Sequence, residues 1–197
     1  MVKKRAAAMT KVLALSVVLA ALFIAGAGAA GGCLKVPTMT WSDACLKACS
    51  TPARYNLFQE TLLRSPDSAE ATVYALAAAQ RAKGSFDATM ARADQLLRRG
   101  GGGGGSIPGV ERAAYLHCIG YYTEASSHMA VAVGDMSTNC VVQHTVLEYS
   151  KSLAAMQNCG GELMAFQDSP LVALNAADYD LTLVANNLSA LIWAPYS

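Results

Sequence analysis

Apolar residues recur at steps of three and four over most of the chain beyond residue 40, and the stripes they form predict helices rather than strands. Ser42-Asp43 can cap a short helix through Cys49, and Ser50-Thr51-Pro52 interrupts it. Pro52 suits the first turn of a second short helix, which carries Tyr55, Phe58, Leu62 and Leu63 on its apolar side and runs to about Arg64. After Ser65-Pro66-Asp67-Ser68 a long helix is predicted to reach Arg99, striped by Leu76, Ala79, Ala82, Phe86, Met90, Ala93 and Leu97. A helix over Ala113 to Val133 shows Tyr115, Cys118, Tyr122, Ala125 and Met129 on one face; its successor over Val142 to Leu163 shows Val142, Val146, Tyr149, Leu153, Met156 and Leu163. Between them, Gly134-Asp135-Met136-Ser137-Thr138-Asn139 reads as an exposed turn. Gln167-Asp168-Ser169-Pro170 precedes a last helix with Leu171, Leu174, Ala177, Leu181, Val184, Leu188 and Leu191.

Four long helices with short connections bury their stripes most simply as an all-α, antiparallel up-down-up-down four-helix bundle, and the two short helices form an N-terminal hairpin beside it. Cys118 and Cys159 lie symmetrically about Thr138. In an antiparallel pair they face each other about 30 Å from the turn. A disulfide there closes a loop of roughly forty residues, worth about 2–4 kcal/mol.

The first residues change the picture of compartment. Lys3, Lys4, Arg5 and Lys11 lead into the apolar run Val12 to Ile24, and small residues follow through Ala30, the order of a secretory leader. The apolar run is shorter than the ~20 residues a membrane span requires. The expected organisation is a signal peptide over 1–29, an irregular lead-in over 30–40, and a helical domain over 41–197, with the hairpin at 41–64 and the bundle at 67–195. Without the leader, eleven basic residues face fourteen acidic ones, a net charge of −3. No clustered basic surface suggests nucleic acid. Six cysteines in a secreted chain point to disulfides rather than metal chemistry. The pairing of Cys33, Cys45, Cys49 and Cys140 stays open. Cys45 and Cys49 are expected to find other partners or to mark a broken helix, because i, i+4 Cβ atoms sit about 5–6 Å apart.

Catalytic and cofactor motifs are sparse. His117, His128 and His144 read as surface or half-buried side chains, with neither HExxH nor CxxC to hold a metal. Gly100 to Gly105 lack the lysine and hydroxyl of a phosphate loop and read as a flexible connection. Asp178 and Asp180 read as one solvated helix face. Asn187-Leu188-Ser189 is a glycosylation sequon if Asn187 is exposed. No catalytic residue, metal or cofactor is assigned. The candidates for partner binding are Tyr121, which lies off the core stripe, and Asp135, Met136, Ser137 and Thr138 of the turn.

The order of these pieces resembles the plant invertase and pectin methylesterase inhibitor family. The residues that carry the resemblance are Cys49-Ser50-Thr51-Pro52 with Asn56-Leu57 and Thr61-Leu62, then Leu116 to Tyr122, then Ser152 to Cys159, and finally Ser169-Pro170-Leu171. The resemblance implies a secreted, apoplastic, non-enzymatic inhibitor whose partner is a cell-wall carbohydrate-active enzyme, with no membrane association after leader cleavage. Pectin methylesterase is the first expected target and invertase the alternative. Two departures stand out: Phe58 occupies the place of the family's second hairpin cysteine, and Met136-Ser137-Thr138 stands where the invertase-inhibiting branch has Pro-Lys-Phe. A helical lipid carrier and a target-less structural or signalling module are the readings from other classes.

Overall fold

A computed structural model describes residue 33 and residues 36–99 and 107–193. The leader, the glycine run and the last residues of the expected bundle range therefore lie outside the described residues. The elements in chain order are β1 (Thr38–Thr40), α1 (Trp41–Ala48), α2 (Pro52–Leu62), β2 (Ser68–Glu70), α3 (Ala71–Arg99), α4 (Gly109–Gly134), a π-helical turn (Asp135–Asn139), α5 (Val142–Leu163) and α6 (Pro170–Trp193).

Cross-helix bonds show how the long helices run. Arg112 on α4 reaches the Leu97 carbonyl of α3 and Thr123 reaches Met90, so rising numbers on one meet falling numbers on the other. The same crossing holds for Cys118–Cys159 and His128–Glu148 between α4 and α5, and for Gln157–Tyr179 and Thr182–Met156 between α5 and α6. Ser85 and Thr89 of α3 bond Asp178 of α6, which closes the ring of four. Small residues let α3 approach its neighbours closely: Ala71, Ala75, Ala78, Ala79 and Ala82 are fully buried. Phe86 then meets Tyr122 edge-on with ring centroids 5.7 Å apart. Gly84 does not interrupt α3.

Several expectations are corrected here. The lead-in is not irregular throughout, because Thr38–Thr40 pairs antiparallel with Ser68–Glu70, and the Tyr74 hydroxyl lies within hydrogen-bond reach of the Met39 and Pro66 carbonyls on the two sides of this ribbon. Strands of three residues are too short to show an alternation. Thr40, not Ser42, caps α1: its Oγ1 accepts from the Asp43 amide and donates to the Asp43 carboxylate. The hairpin of α1 and α2 does not stand apart. Ala44, Cys45, Ala48, Phe58 and Leu62 belong to the same buried cluster as the bundle core.

The turn between α4 and α5 is likewise more helical than its composition suggests. Ser137 and Thr138 each donate a hydroxyl to the carbonyl four residues back, on Val133 and Gly134, and the helix continues as a π-turn instead of breaking at Gly134. The chain reverses at Cys140, in the left-handed region at φ 50°, and a disulfide ties that corner to Cys33. The buried face of α5 is rotated from the expected stripe in its first half. Thr145, Glu148 and Ser152 point inward while Val146 is 43% exposed.

Candidate functional site

Three polar constellations emerge on this frame, two of them structural. The first is buried. Asp178, at 1% exposure, receives hydrogen bonds from Ser85 (2.5 Å), Thr89 (2.7 Å) and Tyr122 (2.8 Å), donated from α3 and α4. Burial pushes its carboxyl pKa up and these three bonds pull against that without cancelling it. Burial and the adjoining Asp178 charge push Tyr122 far up as well. The reading of Asp178 and Asp180 as one solvated face is therefore overturned. Two positions on a helix are about 200° of rotation, so the two side chains diverge, and Asp180 pairs instead with Arg54 Nε of α2 at 3.0 Å. The hydroxyl partners come from other helices, so no local spacing announces them.

The second constellation surrounds Glu148, 4% exposed near the start of α5. His128 Nδ1 lies 2.6 Å from Oε2 and Lys151 Nζ 2.7 Å from Oε1. His144 approaches Oε1 at 3.6 Å through Nε2 and holds Asp135 at 2.7 Å through Nδ1. Burial alone would raise the Glu148 pKa, but the hydrogen bonds and charges of Lys151 and His128 outweigh it and the net shift is downward. Glu124–His128 and His144–Glu148 are i, i+4 pairs visible in the sequence, a signal that reading the histidines singly passes over. Among the described residues no group of three or more His, Cys, Asp or Glu is placed to hold a metal ion. The cluster also removes two partner-binding candidates from the surface. Asp135 is 7% exposed with its carboxylate on His144, and Met136 is 1% exposed in the core.

The third constellation faces outward. Leu116, His117, Gly120, Tyr121 and Glu124 of α4 and Glu162 of α5 line an open groove of ≈ 400 Å³. Leu116 is 50% exposed, Tyr121 half-buried, and His117 Nδ1 sits 3.3 Å from Glu162 Oε1. The glycine leaves the floor clear, since a Cβ at residue 120 would meet nothing within 4 Å. An apolar side chain, a phenol ring and two carboxylates around one concavity suit the stem and head of a lysine or arginine. Tyr121 thus lies in a groove, whereas Ser137 and Thr138 are roughly 25 Å away along the helix axis with their hydroxyls turned back onto carbonyls. The structure does not gather the candidates into one patch.

The cysteines divide into pairs. Cys118 is bonded to Cys159 inside the bundle and Cys33 to Cys140 at its corner. Cys45 and Cys49 are both thiols and have found no other disulfide partner; the helix stops at Ala48, short of the expected end at Cys49, which is its extended C-terminal cap, so of the two expectations for this pair it is the break in the helix that is seen. Phe58, at the place of the missing family cysteine, is fully buried. The sequon residue Asn187 is half-buried and donates its side-chain amide to the Ala48 carbonyl at the end of α1 (2.8 Å), so its nitrogen has a structural task rather than an open approach for a glycan.

No family model matches the sequence, and no curated protein matches it. Solved structures that share its fold include two pectin methylesterase inhibitors. A mutant form of a pectin methylesterase inhibitor from Arabidopsis superposes with a TM-score of 0.64 at 16% identity, covering 77% of this chain and 96% of the other. A pectin methylesterase inhibitor from Arabidopsis thaliana superposes with a TM-score of 0.56 at 15% identity, over 78% and 98% of the two chains. The chain therefore has the helical fold of these inhibitors.

Proposed function

We propose that the protein is a secreted, non-catalytic inhibitor of pectin methylesterase, which it blocks by seating the α4–α5 face over the enzyme's substrate cleft in a reversible complex. The observation that carries this reading is the fold match, which spans nearly the whole length of two such inhibitors. Steric exclusion requires no reacting group on the inhibitor, only a stable surface of ordinary interface size, roughly 1,200–2,000 Å² in total. The groove around Tyr121 supplies an anchor within that surface, and the negative charge expected of the leader-free chain favours a partner that presents lysine or arginine. The leader expected over 1–29 is the route to the apoplast in this reading.

The test is a titration of the oxidised, leader-free protein against pectin methylesterase and acid invertase in parallel. Saturable loss of esterase activity alone is expected. Full esterase activity at micromolar inhibitor overturns the reading, and loss of invertase activity alone replaces the target. Tyr121→Ala is expected to raise the inhibition constant about tenfold or more, the cost of ~1.4 kcal/mol or above for an aromatic anchor. Unchanged inhibition by that variant, with helicity intact, would move the docking face elsewhere on the bundle.

A further inference from the structure

The two thiols left over from the disulfide set are not isolated from each other. Cys45 Sγ and Cys49 Sγ lie 3.8 Å apart, in van der Waals contact. Cys45 is fully buried on the inner face of α1, and Cys49 is half-buried. From this geometry we propose that Cys45 and Cys49 are an oxidisable dithiol, which closes to a third disulfide by exchange with a small disulfide such as oxidised glutathione.

An i, i+4 pair inside a regular helix resists closure, because its Cβ atoms stand about 5–6 Å apart where a disulfide requires about 3.5–4.5 Å. Cys49 is not inside the helix. It is the C-terminal cap of α1, with extended backbone angles of φ −103° and ψ 113°. Its amide donates to the Cys45 carbonyl (2.9 Å) and its thiol reaches the Arg54 carbonyl of α2 (3.5 Å), two single bonds that rotation can exchange, and Ser50 alone separates it from Thr51, the cap of α2. Rotation about Cys49 and Ser50 can therefore bring the sulfurs together without disturbing the packed face of α1, where Ala44 and Ala48 are buried and Asn187 holds the Ala48 carbonyl.

Access decides the order of steps. Burial, reinforced by the neighbouring Cys49, pushes the Cys45 thiol up to about 12. Burial raises Cys49 too, but the Cys45 hydrogen bond and the Arg54 charge oppose it there. Cys49 is the entry point. Its thiolate attacks one sulfur of oxidised glutathione, forming a Cys49–glutathione mixed disulfide and releasing glutathione thiolate, which takes up the proton Cys49 lost. Cys45 then gives up its proton and attacks the Cys49 sulfur, and the second glutathione leaves as thiol. Each closure thus converts one oxidised glutathione to two reduced ones. Cys49 is the half-buried sulfur of the pair, and accessible disulfides are the more readily reduced ones, so the bond is reversible.

The experiment uses the leader-free chain with its two disulfides formed, incubated in native buffer with excess oxidised glutathione. Free thiols are counted in denaturant, and tryptic peptides are mapped without reduction. Lys47 lies between the two cysteines, so cleavage after it puts them on separate peptides that only a disulfide can hold together. The expected result is a fall from two thiols to none and recovery of the Cys45 and Cys49 peptides as one linked species. In Cys45→Ser the second step is impossible, and Cys49 is expected to accumulate as the glutathione adduct; helicity by circular dichroism confirms that the variant is folded. Two thiols that persist in the wild-type chain, either cysteine linked to Cys33 or Cys140, or a folded Cys45→Ser that takes up no glutathione, would each overturn the proposal.

Discussion

Replacing Asp178 by alanine removes the acceptor for three hydroxyls that converge from two other helices, and the cost can be worked group by group. Ser85 is half-buried, so its hydroxyl finds water and adds little. Thr89 and Tyr122 are 3% and 2% exposed and cannot reach solvent without disturbing the packing. A buried donor left without an acceptor costs about 1–3 kcal/mol, and there are two of them. Tyr122 has a fallback, because Asn175 Oδ1 lies 3.2 Å from its hydroxyl, which trims its share. The net expectation is about 2–4 kcal/mol, a substantial part of the ~5–15 kcal/mol typical of a domain. Urea unfolding followed by circular dichroism measures it.

Asp178→Asn serves as the electrostatic control. Since burial raises the Asp178 pKa above 3.8, the folded state holds the proton more tightly than the unfolded one. Its contribution to stability is therefore present below pH 3.8 and is lost as pH rises through the folded pKa. Asparagine does not titrate. The stability difference between wild type and the Asn variant should narrow as pH rises above 3.8 through the folded pKa. A cost below about 1 kcal/mol for alanine, or parallel wild-type and Asn profiles, would refute the buried hydroxyl–carboxylate account.

Glu148 carries the opposite sign. Its pKa is lowered from 4.5, so its contribution is present above that value and is lost as pH falls through the folded pKa. Glu148→Gln is expected to cost about 1–3 kcal/mol near neutrality and to flatten the acid limb of the stability profile; an unaltered acid limb would contradict this. Gly84→Ala is expected to stabilise the protein by about 0.5–1 kcal/mol, since Gly84 is exposed on an unbroken helix and the added Cβ meets nothing within 4 Å. Differential scanning calorimetry decides it, and a lower melting temperature would count against it.

Local signals were enough to place the helices. Stripes such as Tyr115, Cys118, Tyr122, Ala125 and Met129 repeat over many turns, and all five side chains are buried. A long periodic signal survives local irregularity because each turn repeats the same preference. Where the register depends on what lies opposite, periodicity was a poor guide. Val146 fits an apolar stripe but is exposed, and Glu148 and Ser152 are buried. Lys151 and His128 satisfy Glu148, while Ser152 donates to the Ala125 carbonyl. The turn composition of Gly134 to Asn139 misled for a similar reason, since Ser137 and Thr138 satisfy their hydroxyls on the preceding helical turn.

The sequence by itself therefore determined the all-α character, the long helices and the sparseness of catalytic motifs, because these follow from periodicity and composition within one segment. Only the tertiary structure decided that Asp178 is buried among Ser85, Thr89 and Tyr122 while Asp180 meets Arg54, that Asn187 is committed to α1, that Tyr121 shares a groove with Glu162, and that Cys45 and Cys49 are left in contact. Each of those outcomes except the last joins residues on different helices. Even the cysteine contact depends on a cap geometry and on which partners the other four cysteines take. Pairings of that kind arise from how faces rotate and pack against each other, a property that no single helix carries.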